Sequence, residues 1–250
     1  MLQLPPLDLA LPLALAAVLA FSVETALGFG ATLILVAIGS FFADLGTLLP
    51  AIAPLNLLLS LYIVSRYHRE IDRRVLLGKL VPLMALGLPI GVVIVGALDA
   101  SMLKRLFGVF LVAVSSLELW RARNGEGTRP PLGRIPEGAL LIAGGVIHGA
   151  FMTGGPMAVY VASRILHDKG RYRATLSSLW AILNAAILVT YGLRGELGPS
   201  ARGLSLALLP AIVLGMVVGE VAFRRLPVTA FRTMVFAMLL ASGVALVVRG

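Results

Sequence analysis

The 250-residue sequence contains no cysteine. That absence excludes a thiol nucleophile, a disulfide framework, a thiolate-held iron–sulfur cluster and the usual structural zinc sites. Charge is scarce as well: Asp, Glu, Lys and Arg make up 13% of the chain against 59% hydrophobic residues, with a mean hydropathy of +0.98. Soluble domains carry roughly 25% charged and 45–50% apolar residues, so lipid, not water, is the main solvent of this chain. Histidine is limited to His68, His148 and His167. They form no His-Glu-x-x-His motif and bring no nucleophile with a base, which argues against an intramembrane hydrolase. Paired carboxylates inside apolar segments are missing too, and Glu24 alone makes a poor case for a cation or metal transporter. No cofactor and no metal are expected.

What is present is a series of long apolar blocks rich in Leu, Ala and Gly. Several approach the roughly 20 residues that a helix needs to span the hydrocarbon core. They lack the period-2 alternation of an outer-membrane barrel strand. Candidate segments are 9–27, 31–42, 48–65, 75–98 and 103–120, then 138–151, 157–166, 174–193, 203–223 and 228–248. Between the two sets of five lies a hydrophilic stretch, 121–137, with four arginines and Pro130, Pro131 and Pro136. The domain reading is therefore a first transmembrane repeat (1–120), a cytoplasmic linker (121–137) and a second repeat (138–250). The start of the chain lacks the basic region of a signal peptide and is expected to be retained.

The halves repeat. A shift of 128 pairs Thr47 with Thr175, Asn56 with Asn184, Pro82 with Pro210, Gly87 with Gly215 and Gly91 with Gly219. The asparagines carry most weight, because the chain has only Asn56, Asn124 and Asn184. Nearer the start of each half a shift of 124 pairs Glu24 with His148, Ala26 with Ala150 and Gly30 with Gly154. The net charge of +9 would suggest nucleic acid in a soluble protein, but here the basic residues sit in loops and give orientation instead. Residues 66–74, 121–137 and 167–173 are basic and expected inside. The loop equivalent to 66–74 in the second half, 194–202, keeps two arginines and a glutamate and is expected outside. Equivalent loops on opposite sides make an inverted repeat. The fold class expected is an all-α polytopic membrane protein of two inverted-topology repeats, the first two segments of each half forming a broken or re-entrant hairpin.

Inverted repeats place substrate sites near the midplane, often at interrupted helices. Two interruptions occur at equivalent positions: Gly28-Phe29-Gly30 and Thr153-Gly154-Gly155-Pro156. Backbone leaves a helix at membrane depth only where protein or a polar cavity receives its N–H and C=O groups. Glycine lets a substrate approach, proline suits a new first turn, and the new helix N-terminus attracts an anion. The bland reading, that glycines only let helices pack closely, is preferred for Gly87, Gly91, Gly215 and Gly219. Asn56 and Asn184 either bind substrate or cross-link helices. Glu24 either holds a proton, pairs with a basic group or orients its hairpin. For His148 a satisfied interior histidine and a proton or anion contact both stand. Glu118 and Glu220 read as interfacial.

These motifs resemble the TauE/SafE family of sulfite exporters and anion permeases. The resemblance rests on Gly28-Phe29-Gly30, on His148 to Pro156, and on Arg171-Tyr172-Arg173-Ala174-Thr175 leading into the helix of Asn184. Pro210, Gly215 and Gly219 extend it, although the first break has fewer glycines than many relatives. It implies a transporter of the inner cell membrane, not an enzyme, exporting sulfite or an organosulfonate such as sulfoacetate. The lipid bilayer is its setting, and a homo-oligomer remains open.

Overall fold

The computed structural model describes residues 3–124, 132–225 and 228–249. Among them the chain forms ten helices, a short 3₁₀ turn at His68–Glu70 and no strand. The helices of the first half are α1 (Leu7–Leu27), α2 (Ala31–Gly39), α3 (Leu45–Tyr67), α4 (Arg73–Gly96) and α5 (Ala100–Arg123). Those of the second are α6 (Arg134–Phe151), α7 (Gly155–Ala162), α8 (Lys169–Leu193), α9 (Pro199–Arg225) and α10 (Val228–Arg249). By length and composition α1, α3, α4, α8 and α9 are long and apolar enough to cross a membrane.

Several helices begin before their apolar runs do. Asp72, Asp99 and Asp168 are the reason, because each side chain accepts a hydrogen bond from an N–H of the first turn: Val75 at 3.0 Å, Met102 at 2.8 Å and Arg171 at 2.8 Å. Charged residues such as Arg73 and Lys169 are thereby drawn into helix that hydropathy alone assigns to loops. Helix also occupies both ends of the stretch read as a linker, since α5 runs to Arg123 and α6 starts at Arg134. Within α4 a π segment, Leu76–Leu80, lies just before Pro82. Proline lacks an N–H and crowds the preceding turn, which a wider π turn relieves.

The two short helices fold back on their predecessors. Gly39, at the end of α2, lies against Leu13 of α1, and Gly144 of α6 lies against Met157 of α7. Each half thus opens with a helix–break–helix hairpin followed by three long helices. The halves are interlocked through glycine. α1 packs against α9, and α4 against α6. A Cβ on Gly215 or Gly219 would strike the α1 backbone around Val18 and Ser22, while one on Gly87 or Gly91 would strike the carbonyls of Ile142 and Val146. Backbones this close need glycine at the contact. The opposite faces of these helices, Leu86, Ile90 and Val93 on α4 and Val213, Val217 and Val221 on α9, are exposed. α3 packs on α8, and α5 on α10. Exchanging the halves maps these four pairings onto themselves.

Candidate functional site

The interruptions of the two hairpins meet at a small cavity. Its lining includes Glu24, Phe29, Gly30, Thr32 and Asn56 from the first half, and His148, Met152, Thr153, Gly155, Trp180 and Asn184 from the second. α3 and α8, packed together, supply Asn56 and Asn184. The breaks supply the rest, apart from Trp180.

Each break has its own local cause. α1 ends on Gly28, which adopts a left-handed φ of 82° and donates its N–H to the Glu24 carbonyl at 2.7 Å. Gly30 follows at φ 113°, a conformation that side chains resist, and opens α2. A carboxylate oxygen of Glu24 then accepts from the Ala31 N–H at 2.8 Å, so the end of one helix caps the start of the next. In the second half Met152 takes the left-handed position of Gly28, at φ 54°, and donates to the His148 carbonyl at 2.7 Å. Gly154 packs beneath Gly144 and His148, and α7 begins at Gly155-Pro156 with no side chain capping it.

The two asparagines differ in use. Asn56 donates its amide to the Thr32 hydroxyl at 2.6 Å, tying α3 to α2. Its carbonyl oxygen and that of Asn184 lack a partner, although the residues are only 1% and 3% exposed. Asn184 lies beside His148, yet neither imidazole nitrogen makes a hydrogen bond of good geometry. The imidazole instead stacks on the Trp180 indole, centroids 5.6 Å apart and 16° from parallel. Buried polar atoms are nearly always paired, so this set marks a place built for something else.

Of the residues singled out in the sequence, Glu24, Phe29, Gly30, Asn56, His148, Thr153, Gly155 and Asn184 line the cavity together. Gly28, Gly154 and Pro156 do not. The sequence reading passed over Trp180, Thr32 and Met152. Trp180 stands one helical turn before Asn184 and donates its indole N–H to the Gly28 carbonyl at 2.8 Å, bridging the halves. Only that spacing could have pointed to it.

Behind the first break lies a buried cation that the sequence placed in a basic loop. Arg173 is 1% exposed and donates to the Thr25 carbonyl at 3.0 Å, near the C-terminus of α1 where positive charge is favoured. It also reaches Glu220 at 3.4 Å and lies over the rings of Tyr67 and Phe223. Glu220, expected at the interface beside Arg224, thus pairs with Arg173 and accepts from the Tyr67 hydroxyl.

With this geometry in view, comparison with known proteins is decisive. The family model described as sulfite exporter TauE/SafE matches residues 13–246. The chain belongs to that family. It is a membrane transporter. It is also 30% identical over 173 residues to the probable inner membrane transporter protein TsaS of Comamonas testosteroni, covering 68% of this chain and 70% of the relative. No solved structure matches it.

Proposed function

We propose that the protein exports a small sulfur oxyanion, sulfite or a small organosulfonate, through the cavity where its two broken hairpins meet. The observation that carries this reading is a helix start with no side-chain cap, whose first residue, Gly155, lines the cavity together with the buried imidazole of His148, a ring N–H of which can donate. Such a site offers neutral hydrogen bonds and a partial positive charge, which suits an oxyanion. The family's description favours sulfite. The Comamonas relative, a probable inner membrane transporter protein, supports an inner-membrane location.

The two halves run in opposite directions in this reading. Its support is that α1 and α9 run parallel, Gln3 meeting Gly203 and Ser22 meeting Gly219, while α4 and α6 run parallel, Met84 meeting Gly145 and Leu88 meeting Gly149. α3 likewise parallels α9, with Ala51 near Ser205 and Tyr67 near Glu220. The short connection at His68–Glu70 turns the chain between α3 and α4, so α1 and α6 start from opposite ends.

No covalent chemistry is needed. An inside-negative potential drives an anion outward with about 2.3 kcal/mol per charge per 100 mV, enough for uncoupled efflux. In proteoliposomes, sulfite efflux is expected to rise with an imposed potential. Flux that ignores voltage but follows a pH gradient would replace this by proton coupling, with Glu24 and His148 as the groups in the cavity. Asn184→Ala is expected to weaken sulfite binding about 10–100-fold, the loss of a hydrogen bond to a charged group. Unchanged binding and flux in both Asn184→Ala and Asn56→Ala would make the asparagines structural.

A further inference from the structure

Under the shift of 124 residues, Ala31 and Gly155 are equivalent, each the first residue of a short helix; Gly30, just before α2, and Gly155 itself line the cavity. Their surroundings differ. The Ala31 N–H is taken by the carboxylate of Glu24 at 2.8 Å. No side chain caps α7, and the residue equivalent to Glu24 is His148, 2% exposed with neither ring nitrogen in a hydrogen bond of good geometry. Asn184 adds a further unpaired buried atom beside it. One helix start is filled from within the chain, and the other is left for a guest.

The cavity also lacks a permanent cation. Among the described residues no lysine or arginine lines it, and Glu24 contributes a carboxyl to the lining. Arg173, buried behind the first break, is committed to Thr25, Glu220 and two aromatic rings. The start of α7 offers about half an elementary charge, and Thr153 and Asn184 offer neutral polar groups. One negative charge is matched by that set. A second would be buried without a partner, which low-dielectric surroundings penalise heavily.

Resting on the reading of this cavity as the transport site, we infer that it has a single anion seat, at the start of α7, which takes singly charged oxyanions in preference to dianions, Glu24 holding the equivalent seat at α2. Sulfite then passes as hydrogen sulfite, whose hydroxyl can donate to the carbonyl oxygen of Asn184. Monosulfonates fit the same seat. Sulfoacetate, with two charges, is disfavoured.

Methanesulfonate and sulfate decide the matter, since they share a tetrahedral shape and nearly a size but differ by one charge. Competition against sulfite is measured at one pH on the purified full-length protein in nanodiscs, where no voltage acts. Methanesulfonate is expected to compete at least 10-fold better than sulfate. Glu24→Gln keeps an acceptor for the Ala31 N–H while removing the charge, so it is expected to narrow that gap several-fold. Equal competition by the two ions in the wild-type protein overturns the preference and leaves the transport function standing. A gap that Glu24→Gln leaves unchanged overturns the role given to Glu24. Absence of sulfite binding altogether overturns the function and this inference with it. Should the variant fail to fold, the wild-type comparison alone decides the preference.

Discussion

Arg173 shows how one residue can tie several elements. It stands in the second turn of α8, satisfies a terminal carbonyl of α1, pairs with Glu220 of α9 and stacks on Tyr67 of α3. Removing one member of a buried ion pair leaves the other charge stranded, at about 3–5 kcal/mol. Arg173→Met is therefore expected to lower the thermal midpoint of detergent-purified protein sharply. The double variant Arg173→Met/Glu220→Gln should recover much of the loss. If the single and double variants melt together, the pair contributes nothing. Such a residue is hard to read from sequence, where Arg173 belongs to a run of basic residues beside His167 and Lys169 and looks solvated. The same holds for Trp180, since a tryptophan in an apolar segment resembles packing until its N–H is seen on the Gly28 carbonyl. Gly30 and Pro156 were legible for the opposite reason, because their backbone constraints act locally.

At the scale of the element, glycine spacing matters more than hydropathy. The pairs Gly87/Gly91 and Gly215/Gly219, four residues apart, lie along the lines where α4 meets α6 and α9 meets α1. Their packing role was readable as a four-residue repeat of small residues, but their partners were not, because nothing local says which backbone will approach. Gly219→Leu places a branched side chain against Ser22 and Thr25. It is expected to abolish the monodisperse peak in detergent, whereas Gly46→Leu, with open space around it, should leave that peak intact. Similar profiles for the two variants would mean that the α1–α9 contact tolerates separation. Helix boundaries were the least legible feature, since Asp72, Asp99 and Asp168 start helices in charged sequence.

For the whole molecule, the absence of cysteine offers a clean test of orientation. Arg69→Cys and Glu196→Cys place single thiols at exposed positions in equivalent loops of the two halves. If the halves are inverted, with basic loops inside, a membrane-impermeant maleimide should label Glu196→Cys on intact cells. Arg69→Cys should react only after permeabilisation. Labelling of both from the same side would end the inverted reading. Asn56 and Asn184 were legible as a spaced pair, and both line the cavity. The interlocking was not legible, because a repeat in sequence does not say whether each copy packs on itself or on its twin.

That interlocking bears on how the chain is made. A membrane protein enters the bilayer from its N-terminus onwards, yet the glycine-lined surface that receives α1 belongs to α9, close to the end of the chain. Until α9 emerges, the first hairpin must wait beside lipid or the insertion machinery, with Glu24 held on Ala31 and Asn56 on Thr32. Those two internal hydrogen bonds then serve as temporary shelter for polar groups whose permanent surroundings have not yet been synthesised.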